Sequence, residues 1–138
     1  MGMALTHDLE YFKLSEFRHP ELINPVAAEL LDEIREQFGR PLRVTDDARL
    51  PNELPKGTSG PGESLHYVGQ AFDLHIADFD AETLWYLDDV VHSVANFVAR
   101  GAKAGVEWEV VWSKTDKHAH VGFFLGDGRK NRFLVRAE

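Results

Sequence analysis

Apolar residues recur at helical spacing in one early part of the chain, between Asn24 and Gly39. Asn24 is a favourable N-cap, Pro25 suits the first helical position because its missing N–H costs little there, and Gly39 is a favourable terminator. The pattern therefore predicts a helix. Its expected core stripe consists of Val26, Leu30, Leu31, Ile34 and Phe38.

Residues 69–76 alternate between polar and apolar types, which is typical of a strand. Because successive strand side chains point to opposite faces, Asp73 and His75 are expected on one face and Phe72 and Leu74 on the other. Further strands are predicted at residues 42–45, 106–112 and 118–125, with an edge strand at 133–135. The strands at 106–112 and 118–125 are expected to pair as a hairpin.

A second helix is predicted to begin after Asp80, which can cap its first turn, and to end at Gly101 and Gly105. Apolar residues again recur at helical spacing, which indicates one buried face. That stripe consists of Leu84, Leu87, Val90, Val91, Val94, Phe97 and Val98.

The stretches between these elements are of two kinds. Residues 13–19 are predicted to be a short docking segment, and residues 46–65, which hold three prolines and three glycines, a long loop. Together the elements predict a single α+β domain over residues 1–138, with a central antiparallel sheet flanked by helices.

The composition narrows the classes of function. The chain has 138 residues, no cysteine and a formal net charge of −8. Any metal site must therefore use His, Asp and Glu. The sequence has no Lys/Arg cluster of the kind that binds nucleic acid and no apolar run near the ~18 residues of a membrane span. The first residues lack the basic start and apolar stretch of a signal peptide, so synthesis in the cytoplasm is expected.

The first candidate chemistry lies in residues 64–73, SLHYVGQAFD. His66 lies at the end of the irregular loop, Asp73 lies on the polar face of the following strand, and Gly69 allows a turn between them. This spacing brings an imidazole and a carboxylate within reach of one metal ion. Alternatively, Asp73 would be a buried anchor of the turn.

The second cluster is the HAH sequence at the start of a predicted strand, where period-two geometry puts His118 and His120 on one face. His120 can complete a set of two histidines and one carboxylate, and zinc with three protein ligands keeps a fourth position for water. Two other interpretations stay open. The histidines would form a solvated edge face, or the set would hold iron in an oxygenase, although the six residues between His66 and Asp73 exceed the usual spacing.

These residues resemble a known family. SLHYVGQAFD fits the Ser-x-His-x-x-Gly-x-Ala-x-Asp motif of the D-Ala-D-Ala carboxypeptidase and L-alanyl-D-glutamate endopeptidase family. HAH fits the His-x-His motif of the wider group that includes lysostaphin-type enzymes and the Hedgehog signalling domain. The resemblance covers roughly residues 10–125. It implies a Hedgehog/D-Ala-D-Ala peptidase-like fold and a Zn²⁺ site held by His66, Asp73 and His120.

The resemblance also implies roles for residues around the metal. Arg49, in VTDDAR, corresponds to the family's arginine after the first strand, which engages substrate or the developing oxyanion. A solvated loop cation is the alternative for Arg49. Ser64 is expected to hydrogen-bond within the motif and to contribute to substrate binding. His118 is expected to be a further donor to the oxyanion and not a ligand.

One position departs from the family pattern. Many phage members carry the general base, an aspartate, three residues before the last zinc ligand, and the corresponding residue here is Lys117. A lysine would serve as that base only if its pKa fell by several units. Asp116 is therefore the preferred base and Glu109 the second candidate. Either carboxylate would otherwise be a solvated hairpin residue.

The function implied by the resemblance is zinc-dependent hydrolysis of peptidoglycan stem peptides, of the D-Ala-D-Ala carboxypeptidase or L-Ala-D-Glu endopeptidase type. The alternative is a non-catalytic zinc-bound binding or structural module of the same fold, which Lys117 favours. A phage-encoded enzyme released to the cell wall is the preferred context. The sequence indicates no oligomeric state.

Overall fold

The computed structural model describes residues 5–47, 69–76, 80–98, 107–113, 118–125 and 132–136. Two α-helices are present in these residues, α1 (Pro25–Phe38) and α2 (Ala81–Ser93), and Val94–Val98 continues α2 as a π-helix. The strands are β1 (Arg43–Asp46), β2 (Ala71–His75), β3 (Glu107–Ser113), β4 (His118–Phe124) and β5 (Arg132–Arg136). The predicted α+β class and the order of its elements are confirmed.

The five strands form one sheet in the order β1-β2-β4-β3-β5. The first four strands in this order form three antiparallel pairs, which confirms the predicted antiparallel centre. The predicted edge strand is also present as β5, and it pairs with β3 in parallel orientation. In the described part of the chain, neither helix combines the length and apolar character needed to cross a membrane.

Helix α1 begins and ends at the predicted residues. The Asn24 side chain accepts hydrogen bonds from the main-chain N–H groups of Val26 and Ala27, at 2.9 and 3.3 Å. Gly39 ends the helix in the left-handed conformation, with φ of 75°. The prediction that Val26 belongs to the core stripe is wrong, because Val26 is 51% exposed. At 100° per residue it lies roughly 90° from the centre of the buried stripe, where Ala27 takes its place.

Helix α2 is capped as predicted by Asp80, whose carboxylate accepts hydrogen bonds from the N–H and hydroxyl groups of Thr83 at 2.8 and 2.7 Å. Five residues of the predicted stripe are buried. They are Leu84, Leu87, Val90, Val91 and Val94. The predicted end of this helix, at Gly101 and Gly105, lies outside the described residues.

The two faces of the sheet differ in character. One face contributes fully or almost fully buried apolar side chains to a core that also includes the buried stripes of α1 and α2. These side chains are Phe72, Leu74, Val110, Val121 and Phe123, with Trp108 and Trp112 beside them. Alternation along each strand places Asp73, Glu109 and His120 on the opposite face. The same strands therefore build the core and carry the candidate chemistry.

The predicted docking segment, residues 13–19, lies against the core and against the end of β1. Phe17 is 5% exposed and packs on Phe72, with ring centroids 6.1 Å apart. The main-chain N–H groups of Arg18 and His19 donate to the Asp47 carboxylate at 2.6 and 3.1 Å. Asp47 has no exposed surface, so these bonds compensate for the burial of its charge.

Candidate metal centre

Asp73 of β2 and His120 of β4 are directly opposite each other in the antiparallel register. Directly paired residues have Cβ atoms about 4.5–5.5 Å apart, so their side chains meet on the face they share. The Oδ1 atom of Asp73 lies 3.2 Å from the Nδ1 atom of His120. Two residues that are 47 positions apart in the chain, one from each predicted motif, are thereby in contact.

Glu109 of β3 is the third member of this cluster. Its Oε1 atom lies 2.6 Å from the Nε2 atom of His120, so the imidazole is held between two carboxyl groups. In the register, Val111 is opposite His120 and Glu109 is opposite Gly122. Glu109 is therefore the diagonal neighbour of His120, a distance that a long side chain can span. Gly122 brings no side chain into that space.

The cluster is well shielded from solvent. The side chains of Asp73, Glu109 and His120 are 13%, 9% and 15% exposed. Burial by itself would lower the pKa of His120, but the hydrogen bonds and negative charges of Asp73 and Glu109 outweigh it and raise the pKa to about 9. In the metal-free protein the ring is thus an imidazolium that donates to both neighbours at neutral pH.

The structure explains why the first motif has a glycine at position 69. Gly69 has φ of 69°, and a Cβ atom there would lie 2.1 Å from the carbonyl oxygen of Leu22. The Gly69 carbonyl accepts a hydrogen bond from the N–H of Asn24, the N-cap of α1, at 2.9 Å. The predicted turn at Gly69 is therefore present. It fastens the start of β2 to the start of α1.

The alanine of the same motif is also explained by position. Ala71 has no exposed surface and is paired with Gly122 across the β2–β4 ladder. Two small residues thus lie two positions along the strands from Asp73 and His120. The spacing Gly-x-Ala-x-Asp combines a turn, a close contact between strands and a carboxylate two residues further along the same face.

His118 is the other histidine of the HAH sequence, and it lies on the same face as His120 as predicted. It is partly buried and directly opposite His75 of β2. A cavity of about 350 Å³ lies beside His75, and charged residues of both signs line it, including Glu16, Arg40 and Arg43. Space for part of a ligand therefore exists two residues along β2 from Asp73.

Several predicted site residues lie outside the described residues. They are Arg49, Ser64, His66 and Asp116, together with Lys117 at the position of the family's base. Within the described ranges, no three His, Asp or Glu side chains are arranged as a metal-binding group. Instead, His120 forms hydrogen bonds with both Asp73 and Glu109. The structure thus brings together two of the three predicted ligands, and the ligand assignment stays a prediction.

Sequence analysis identified Glu109 as the second candidate for the general base and did not foresee its contact with His120. The available signal was the segment 108–112, in which Glu109 stands among Trp108, Val110, Val111 and Trp112. A charged residue inside a buried strand indicates a buried partner. The identity of that partner depends on the β3–β4 register, which a single strand does not reveal.

The chain matches no protein-family model, and no curated protein or solved structure is significantly similar to it. The resemblance to the D-Ala-D-Ala peptidase group therefore stays a prediction from the two motifs.

Proposed function

We propose that this protein is a zinc-dependent peptidase that hydrolyses peptidoglycan stem peptides, with a fold of the Hedgehog/D-Ala-D-Ala peptidase type. The observation that carries the proposal is the contact between Asp73 and His120 on neighbouring strands, at 3.2 Å. Each comes from a different one of the two motifs on which the family resemblance depends. His66 is the proposed third ligand.

The donor atoms suit zinc. Carboxylate oxygen and imidazole nitrogen both bind Zn²⁺ at ~2.0–2.2 Å, so two such ligands on one tetrahedral ion are about 3.3 Å apart. The observed separation of 3.2 Å between Asp73 Oδ1 and His120 Nδ1 fits that value. Two histidines and one aspartate would leave a coordination position for water, as catalytic zinc sites do.

Zinc held by these three residues would supply a water whose pKa falls toward ~7 and would polarise a peptide carbonyl. Asp116 is proposed to act as the general base and then to protonate the leaving amine. His118 and Arg49 are proposed to donate hydrogen bonds to the oxyanion, and Ser64 to help position the substrate. The cavity beside His75 is proposed to hold a flanking part of the peptide.

The substrate class comes from the family resemblance alone. It is a stem peptide with D-amino acids, cut at either the D-Ala-D-Ala or the L-Ala-D-Glu bond, and the preferred context is a phage-encoded enzyme that reaches the cell wall. Neither a nucleic acid nor a membrane is proposed as a partner.

The test combines elemental analysis of the purified protein with mass spectrometry of muropeptide digests, with and without a chelator. We expect one zinc per chain and a product that the chelator abolishes. Replacing His66 or His120 by alanine should remove both the zinc and the product, whereas His7→Ala, at an exposed position, should change neither. A His66→Ala or His120→Ala variant that keeps full activity would contradict the proposal.

The second candidate is a zinc-bound module without catalysis. Lys117, at the position where phage members carry their base, is the observation that favours it. One equivalent of zinc without product from any muropeptide would support this module over the peptidase. Iron instead of zinc in the elemental analysis would favour the oxygenase considered above.

A further inference from the structure

Glu109 is a carboxylate with apolar residues next to it on both sides in β3. The residue is 6% exposed, and its neighbours Trp108, Val110, Val111 and Trp112 are all buried. Burying a carboxylate in such a place is unfavourable unless the carboxylate is paired. Its contact with His120, at 2.6 Å, is the shorter of the two that the imidazole makes in the cluster.

The two nitrogens of His120 have different partners. Nε2 faces Glu109 and Nδ1 faces Asp73. A neutral imidazole carries one proton, and a nitrogen that binds a metal must be free of it. The partner of the other nitrogen therefore decides which nitrogen is available, because a hydrogen bond to a carboxylate holds the proton in place.

We propose that Glu109 is a positioning residue that holds the proton of His120 on Nε2 and so presents Nδ1 to zinc beside Asp73. This inference rests on the proposed zinc site. It gives Glu109 a role that neither of the two family motifs includes. The pairing of Glu109 with Gly122 leaves its side chain to lean toward His120.

The same geometry argues against Glu109 as the general base. A base must reach the water or the substrate that it deprotonates, within hydrogen-bond distance. Glu109 contacts the Nε2 side of the ring, whereas the ion would lie on the Nδ1 side, next to Asp73. The ring separates Glu109 from that position. Asp116, which the sequence analysis preferred, stays the proposed base.

The first experiment measures zinc affinity by competition with a chromophoric chelator. Glu109→Ala should weaken zinc binding about 10- to 100-fold, as losing a carboxylate behind a histidine ligand commonly does. Glu109→Gln should weaken it by less, about threefold to tenfold, because the amide oxygen still accepts a hydrogen bond from Nε2–H. Glu29→Ala is the matched control, since Glu29 is exposed on α1.

The second experiment observes the tautomer directly by long-range ¹H–¹⁵N correlation spectroscopy of the zinc-loaded protein. We expect a protonated Nε2 and a metal-bound Nδ1 in the His120 ring. Glu109→Gln is close in shape to the native residue and should keep this pattern, so the measurement does not depend on Glu109→Ala folding. A merely structural Glu109 would alter the melting temperature of its variants and leave their zinc affinity unchanged.

The outcomes separate this inference from the proposed function. If the wild type binds zinc and Glu109→Ala binds it equally well, or if Nε2 proves to be the metal-bound nitrogen, only the inference is overturned. Unchanged zinc affinity in Glu109→Gln together with complete loss of turnover would identify Glu109 as a base and overturn it as well. A wild-type protein that binds no zinc would overturn both.

Discussion

Two carboxylates that are shielded from solvent, Asp47 and Asp73, have different surroundings. Asp47 directly follows Asp46, the residue of β1 that pairs with Asp73. It accepts hydrogen bonds from the main-chain N–H groups of Arg18 and His19, whereas Asp73 contacts the ring of His120. A main-chain amide keeps its proton, but an imidazole nitrogen can exchange its proton for a metal ion. In the proposed function, Asp47 therefore stabilises the fold, whereas Asp73 is a ligand of the proposed ion.

The strongest test of this contrast is to remove each negative charge in turn and measure zinc affinity. Asp73→Asn should weaken zinc binding more than about 100-fold, because a direct ligand matters more than its outer partners. Asp47→Asn should leave the affinity within about threefold of the wild type, since its hydrogen bonds are to main-chain amides. Equal losses in the two variants would mean that the carboxylates do not differ in the way proposed.

The next test concerns the turn that leads into the strand of Asp73. Gly69→Ala should destabilise the protein by about 3 kcal/mol, from a left-handed φ and a Cβ clash with the carbonyl of Leu22. Gly39 is the matched control. It has a similar φ of 75° but nothing within 4 Å of a Cβ, so Gly39→Ala should cost only about 1 kcal/mol.

Urea unfolding of both glycine variants in chelator measures the difference. Gly69→Ala should also weaken zinc binding, because it displaces the start of β2, and Gly39→Ala should not. Equal destabilisation by the two substitutions would show that the close approach to Leu22 does not constrain the turn.

Whether the sequence predicted an interaction depends on how far apart its residues are in the chain. Asn24, Gly39 and Asp80 mark helix ends through contacts with residues nearby in the chain, and all three predictions are confirmed. Alternation also predicted which side chains share a face. The register that joins His120 to Asp73 is set by pairing between distant strands, so only the family motif indicated it in advance.

The contact between Glu109 and His120 could not be predicted from the sequence. It is a diagonal contact that requires the β3–β4 register, and a shift of one residue would turn Glu109 to the other face. The prediction that Val26 is buried was wrong for a related reason. The period of the helix placed it near the buried stripe, but tertiary packing decides how wide that stripe is, and Val26 lies outside it.

The third test measures what Asp47 does for the fold. Asp47→Ala leaves the N–H groups of Arg18 and His19 without this acceptor at a site with no exposed surface. We expect a loss of about 2–3 kcal/mol in the free energy of unfolding, since an unsatisfied buried donor costs about 1–3 kcal/mol. Asp47→Asn keeps an acceptor oxygen and should lose about half as much.

Chemical denaturation in chelator gives these values without a contribution from zinc. Burial raises the pKa of the Asp47 carboxyl above its ordinary value, although the two N–H donors oppose this. A loss below about 0.5 kcal/mol for Asp47→Ala would show that the docking segment is held by Phe17 and its apolar contacts instead.

The last test uses pH, and its sign follows from the direction of the pKa change in the metal-free protein. The pKa of His120 is raised from 6.5 to about 9 in the folded state, so the native protein holds a proton that the unfolded chain releases between these values. The stabilisation is complete below pH 6.5 and is lost as the pH rises to about 9. The loss is at most about 3–4 kcal/mol, since one pKa unit corresponds to about 1.4 kcal/mol.

Urea unfolding in chelator at pH 6, 7.5 and 9 should therefore show falling stability in the wild type and in Asp47→Asn, but a flatter profile in His120→Gln. Zinc affinity should depend on pH in the opposite direction. The ion has to displace the proton of His120, so zinc affinity should rise with pH over the range in which the metal-free protein weakens. If His120→Gln keeps the wild-type slope, the group that titrates is not the imidazole between Asp73 and Glu109, and the contrast between the two carboxylates loses its chemical basis.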